Sequence, residues 1–198
     1  MSAGRSAGIV LAAGGSRRMG APKQLLPVDG RSLLEVVVAA ANASRLDDVV
    51  VVLGANAGAV RDAVAWGRAR VVVNAMHEQG MSTSLHAGVR ALDAATERCA
   101  VILGDQPDVS AALIDHLLDA QEQSGLPASA LSFDGLLHPP VVMAREVWPE
   151  LLALHGDVGF RNVIRARPEL VAAVPAESPL HHPIDIDTPD DFTRLVAP

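Results

Sequence analysis

Short runs of β-branched and aliphatic residues alternate along this chain with longer stretches whose apolar positions recur every three or four residues. The first pattern predicts buried strands, the second helices lying against them. Strands are predicted at Gly8–Ala13, Asp48–Leu53, Arg70–Asn74 and Cys99–Leu103, with helices at Ser32–Ala43, Ala57–Trp66 and Ser82–Ala95 between them. Ser32 and Glu35 stand at capping-box spacing and mark where the first helix opens. Ser110 caps a further helix running to about Ser124, with Leu113, Ile114, Leu117 and Leu118 on one face. Beyond Gly125 the rhythm breaks: strands Ala128–Phe133 and Val141–Ala144 surround the turn dipeptide Asp134-Gly135, and a helix follows at Glu146–Leu154. Leu170–Val174 and Ile184–Ile186 are late strand candidates, Pro175–Pro183 reads as a loop, and Thr188–Val196 as a closing helix. Strands alternating with helices predict an α/β chain with a mostly parallel sheet.

Composition narrows the class. The chain has 198 residues, 49% hydrophobic and 20% charged, which is globular and fits one domain over 1–198. Its longest apolar runs fall far short of the roughly 20 residues of a membrane span, and Met1 to Ala7 lacks the layout of a secretory signal, so a cytoplasmic protein is expected. Cys99 has no cysteine partner and lies in an apolar run, as a small buried hydrophobe. A net charge of −7 argues against nucleic-acid binding through a broad basic surface, so any anionic ligand is held locally. Of the 16 basic residues, 15 are arginine and one, Lys23, is lysine. A compact ammonium and a planar fork are not interchangeable.

Lys23 closes a glycine-rich loop, Leu11-Ala12-Ala13-Gly14-Gly15-Ser16-Arg17-Arg18-Met19-Gly20-Ala21-Pro22-Lys23. Small residues let backbone wrap closely around a ligand, successive N–H groups form an anion-binding nest, and the three cations point to phosphate. Neither GxGxxG nor GxxxxGK[ST] is present, since Ala21 follows Gly20. After the fourth strand comes Gly104-Asp105-Gln106-Pro107. A carboxylate at a strand end can hold Mg²⁺ together with phosphate oxygens and water. The alternative for Asp105, a turn cap, is better filled by Asp108 or Ser110. Asp185 and Asp187 fall on one face of an extended segment before Pro189, with helix capping as the alternative for Asp187. His181-His182 lacks partners at zinc spacing, and Arg165 and Arg167 extend a positive rim or cap a helix end.

These segments, with Asn74 to Leu85, His138-Pro139 and Gly156-Asp157-Val158-Gly159-Phe160-Arg161, resemble in order the MobA-like nucleotidyltransferases. The likeness spans essentially the whole chain and is greatest for the molybdenum cofactor cytidylyltransferase (MocA-like) group. It implies a three-layer α/β/α Rossmann-like fold, Mg²⁺, and CTP and molybdopterin or molybdenum cofactor as substrates, with a molybdoenzyme as possible recipient of the product. By the same resemblance, Leu11, Ala12, Ala13, Gly14 and Gly15 approach the ribose and phosphates, and Arg18 and Lys23 meet the triphosphate. Gly80, Met81 and Ser82 lie near the base, Asp105, Asp187 and Asp185 hold the metal, and His138, Asp157 and Arg161 face the pterin. Leu-Ala-Ala-Gly in the loop is as in cytidylyltransferase-like members, where guanylyltransferase-like members have Leu-Ala-Gly-Gly. Leu137 stands where relatives commonly place glycine before His-Pro, and Pro140 follows, which sets the acceptor pocket apart.

The chemistry implied needs alignment and charge neutralisation more than a general base, because a phosphate acceptor is already anionic at neutral pH. Two rivals stay open: an NAD(P)H-dependent oxidoreductase gripping a dinucleotide with the same loop, and a non-catalytic molybdenum cofactor carrier. Within the transferase class, guanylyl transfer or a sugar-phosphate partner are the nearer competitors.

Overall fold

The computed structural model describes residues 4–16, 19–176 and 183–196. Strands β1 (Ser6–Ala12), β4 (Asp48–Leu53), β5 (Arg70–Val73), β6 (Arg98–Leu103), β7 (Ala128–Phe133), β8 (Leu136–Ala144) and β9 (Val171–Pro175) form one sheet in the order β5-β4-β1-β6-β8-β7-β9. Neighbours pair in parallel except at β8, which runs against both β6 and β7. A small antiparallel ribbon, β2 (Pro27–Val28) with β3 (Arg31–Ser32), stands apart from it.

The strands are apolar on both faces because both are covered. Val49, Val51 and Leu53 of β4 point to one side with Val10 and Ile102, where α1 (Leu33–Ala43), α2 (Ala57–Ala63) and α4 (Ala111–Ser124) contribute Val37, Val60 and Leu117. Val50, Val52, Ile9 and Val101 point to the other, against Leu85 of α3 (Met81–Arg90), Leu151 of α5 (Trp148–Leu152) and Phe160 of α6 (Phe160–Ala166). This is a three-layer, Rossmann-like α/β/α sandwich with a mostly parallel sheet. Cys99 is fully buried here, and burial pushes its thiol up to about 12. Among the described residues no helix is long and apolar enough to cross a membrane.

Local signals place several boundaries. Ser32 Oγ accepts the Glu35 N–H (3.3 Å) while Glu35 Oε2 accepts the Ser32 N–H (2.6 Å), closing the capping box at the start of α1. Ser32→Ala is expected to cost about 1 kcal/mol, read as a lower urea midpoint with an unchanged slope. Hydrogen bonds from the backbone N–H groups of Ser32 and Ala65 hold the Glu35 carboxyl below its usual 4.5. Its contribution is therefore complete above that pH and is lost as the pH falls through the lowered value. Asp134 (φ 49°) and Gly135 (φ 73°) make the two-residue turn between β7 and β8.

Three expectations are corrected. β8 begins at Leu136, not Val141, because the tight turn pairs Phe133 with Leu136 at once; the ladder to β6 reaches only Val141, so Pro139 and Pro140 remove no bond from it. The expected helix over Glu146–Leu154 is split into a 3₁₀ turn at Arg145–Val147 and the short α5. Ile184–Ile186 is not a strand: it crosses the end of β6, with one ladder-like bond from Ile186 N–H to Asp105 O (3.1 Å), while Ile186 packs on Val28 and Leu33. The closing helix α7 (Pro189–Leu195) follows, its start capped by Thr188 and Asp191.

Candidate active site

Strand β1 has β4 on one side and β6 on the other, so the chain's crossovers leave in opposite directions at their carboxyl ends. Such a reversal opens a crevice where ligands bind in α/β sheets. A cavity of about 1140 Å³ lies there, above the usual 300–1,000 Å³ range of small-molecule sites and roomy enough for two substrates.

One wall is the loop after β1. Leu11, Ala12, Ala13, Gly14, Gly15 and Ser16 all line the cavity. The loop is held by Gln24, a residue that motif reading passed over: its buried side-chain Nε2 donates to Ala12 O (3.0 Å) and Gly14 O (2.9 Å). Ser16, in the left-handed region at φ 50°, accepts the Lys23 N–H on its hydroxyl (2.9 Å). The signal for Gln24 was a lone amide beside Lys23, ahead of the apolar pair Leu25-Leu26. Arg17 and Arg18 lie outside the described residues, as does His181-His182.

The centre of the site is ionic. Lys23 Nζ donates to Asp105 Oδ2 at 2.5 Å and to Asp187 Oδ1 at 2.8 Å, uniting residues 82 and 164 positions apart. The Asp105 and Lys23 side chains are mostly buried, that of Asp187 less so. Burial alone would lower the Lys23 pKa, but the Asp105 and Asp187 carboxylates outweigh it and hold the ammonium above its usual 10.5. Burial pushes the Asp105 carboxyl above 3.8 against the opposing pull of Lys23, with Asp185 and Asp187 pushing the same way as burial. Neither aspartate serves as a helix cap: Ser110 caps α4 and Thr188 caps α7. Asp185 accepts Gln106 Nε2 at 2.7 Å. Among the described residues no three His, Cys, Asp or Glu side chains form a group that could hold a metal; Asp105 and Asp187 meet through Lys23, and Asp185 lines the same cavity.

The remaining walls come from Ala55, Asn56, His77, Glu78, Gln79, Gly80 and Met81 on one side and Asp157, Gly159, Phe160 and Arg165 on another. Gly54 has to be glycine: a Cβ there would lie 2.6 Å from His77 Cβ and 2.8 Å from Ala13 Cβ, so its absence lets the two walls meet. Two expected contacts stand elsewhere. Ser82 is buried beneath the wall with its hydroxyl on Gly156 O, and His138 sits on β8 opposite Leu131; neither lines the cavity. Arg161 lies in α6, where its side chain is outside the described set, and the same helix brings to the cavity Arg165, one of the two arginines read as a positive rim or a helix-end cap.

The MobA-like NTP transferase domain matches residues 8–172 of this sequence, more than half the chain. The chain belongs to the MobA-like NTP transferase family. Purine catabolism protein PucB of Bacillus subtilis is 31% identical over 95% of this chain and 94% of its own length. Nicotine blue oxidoreductase of Paenarthrobacter nicotinovorans is 33% identical over 96% of this chain and 95% of its own. The crystal structure of Rv0371c from Mycobacterium tuberculosis superposes with a TM-score of 0.87 at 30% identity, covering 98% of both chains. A second Rv0371c structure, a complex with manganese, covers 96% of this chain and 97% of its own at 29% identity and a TM-score of 0.83. In this MobA-like chain the ion triad and the glycine-rich loop share one cavity at the switch point.

Proposed function

We propose that this protein transfers CMP from CTP to the terminal phosphate of molybdopterin or molybdenum cofactor, releasing pyrophosphate and forming molybdopterin cytosine dinucleotide. The observation that carries the reading is the Lys23 ammonium held between Asp105 and Asp187 beside a loop of small residues. Leu-Ala-Ala-Gly in that loop supports CTP among the nucleotides.

In the reaction a phosphate oxygen of the acceptor bonds to the α-phosphorus of CTP, and the bond from that phosphorus to the pyrophosphate oxygen breaks. The acceptor oxygen is already anionic, so no residue needs to take its proton. The loop's backbone N–H groups orient the triphosphate, and Lys23 neutralises charge that grows on it in the transition state. Oxygen donors from the Asp105 and Asp187 carboxylates suit Mg²⁺, which takes one or two carboxylates along with phosphates and water. Asp105 and Asp187 would hold it, and when bound it supplies charge neutralisation at the phosphates. The manganese complex of Rv0371c supports a divalent cation in this fold. The same two carboxylates hold Lys23, so the ion pairs have to open for a divalent cation to be held there.

A second reading has an observation of its own: nicotine blue oxidoreductase matches nearly end to end. On that reading the loop grips the pyrophosphate of NAD(P)H. Calorimetric titration of the purified protein with CTP, GTP, ATP, NADH and NADPH, with and without Mg²⁺, separates the two. Mg²⁺-dependent binding of CTP ahead of the others supports cytidylyl transfer. Preference for GTP or ATP replaces the base assignment, and metal-independent binding of NAD(P)H alone moves the protein to the redox class. Molybdenum cofactor binding with no nucleotide binding would make it a carrier.

A further inference from the structure

The loop of residues 153–159, between α5 and α6, crosses the start of α3 and is fastened there at one carbonyl. Gly156 O accepts both the Ser82 N–H (3.2 Å) and the Ser82 hydroxyl (2.8 Å). Ser82 is only 1% exposed, so both donors are held on the buried side of the crossing, while Gly156 itself faces solvent. The crossing is so close that Gly80, at φ +110°, could not carry a side chain: a Cβ would lie 2.2 Å from the Gly156 carbonyl carbon and 2.6 Å from Asp157 N.

The support beneath is rigid. Buried Asn74 donates through Nδ2 to Thr83 Oγ1 (2.8 Å) and Ser84 Oγ (3.0 Å), and its Oδ1 accepts the Met76 N–H (2.9 Å). Thr83 in turn donates to Gly80 O (2.9 Å). The end of β5, the following turn and the first turn of α3 therefore move as one piece. What is latched onto that piece is a cavity wall: the loop presents Asp157 and Gly159, then leads into Phe160, which is 1% exposed, and Arg165. These are a carboxylate, a guanidinium and an aromatic edge, none of them from the segments that supply Lys23, Asp105 and Asp187.

We propose that Ser82 is a positioning residue, which acts through the Gly156 carbonyl to set the acceptor-side wall and does not contact the nucleotide base, while Gly80 leaves room for the crossing. Naming the wall's ligand as the acceptor rests on the nucleotidyl-transfer reading; the latch itself does not. With the hydroxyl gone, Gly156 O keeps one donor, so the loop loosens without the fold being lost. A displacement of about 1 Å at a positioned reactant costs up to roughly 10²-fold, and partial loosening is expected to raise the acceptor KM by about tenfold.

The experiment compares wild type, Ser82→Ala and Ser82→Thr by amide hydrogen exchange of the intact protein, and by steady-state kinetics with CTP, Mg²⁺ and molybdenum cofactor. The expected result for Ser82→Ala is faster exchange confined to 153–159, an acceptor KM raised about tenfold, and a CTP KM within about twofold of wild type, with Ser82→Thr restoring both readouts. Unchanged exchange in 153–159 overturns the latch. A raised CTP KM with an unchanged acceptor KM returns Ser82 to the nucleotide and overturns the positioning role. If the wild type transfers nothing, the functional reading fails, and exchange alone then decides the latch.

Discussion

Lys23→Met is expected to lower transfer by about 10²-fold or more while raising the affinity of the ligand-free protein for Mn²⁺ by about tenfold. The first effect is the loss of a positioned charge contact made as negative charge develops on the phosphates. The second follows from the ion pairs at 2.5 and 2.8 Å: in wild type a divalent cation has to displace the ammonium from Asp105 and Asp187, and in the variant it does not. Tenfold corresponds to about 1.4 kcal/mol, a modest share of two partly buried ion pairs. Without metal the variant leaves two carboxylates near each other with no intervening cation, so its melting temperature falls, and Mn²⁺ recovers more of it than in wild type. Mn²⁺ titration by calorimetry and thermal unfolding read these effects without turnover. Weaker Mn²⁺ binding in the variant would mean that lysine and metal do not share this position.

Asp105→Asn separates chemistry from folding. Transfer is expected to drop by about 10²–10³-fold, the scale of losing one preorganised charge interaction, with Mn²⁺ affinity falling alongside. The fold survives: the amide keeps an oxygen for Lys23, and it relieves the burial of charge that pushes the Asp105 carboxyl above its usual range. Asp187 continues to hold the ammonium. The melting temperature is therefore expected to stay within a few degrees, about 1 kcal/mol for a domain of this size. Activity near wild type would remove Asp105 from the site; a collapse of stability would make it structural.

The contrast between these two residues and their surroundings shows what a sequence discloses. Strand β4 is found where its unbroken β-branched run puts it, Asp48–Leu53, and α1 opens at the Ser32–Glu35 box, because both depend on neighbours within a few positions. The turn at Asp134-Gly135 is local in the same way. Lys23, Asp105 and Asp187 were identifiable by residue type and by the motifs that hold them, yet their meeting depends on residues 184–187 crossing the end of β6, held by the Gln106–Asp185 bond and by the bond from Ile186 to Asp105. That bond also misleads periodicity, since Ile184–Ile186 is apolar because Ile186 packs under α1, not because it pairs along a strand. Gln24 and Ser82 were harder still. Each works by satisfying backbone carbonyls of a distant or reversed segment, and neither hydrogen bond leaves a repeat in the sequence. Arg165 reaches the cavity because Phe160, buried in the core, sets the placement of α6.

Pyrophosphate release bears most directly on the proposed reaction. Purified protein is incubated with Mg²⁺, molybdenum cofactor and CTP, GTP or ATP in parallel, and Asp105→Asn serves as control. Release with CTP that requires the acceptor and disappears in the control is the expected result. No release with any nucleotide, together with NAD(P)H consumption by the same preparation, would contradict nucleotidyl transfer and leave the cavity to a redox reaction.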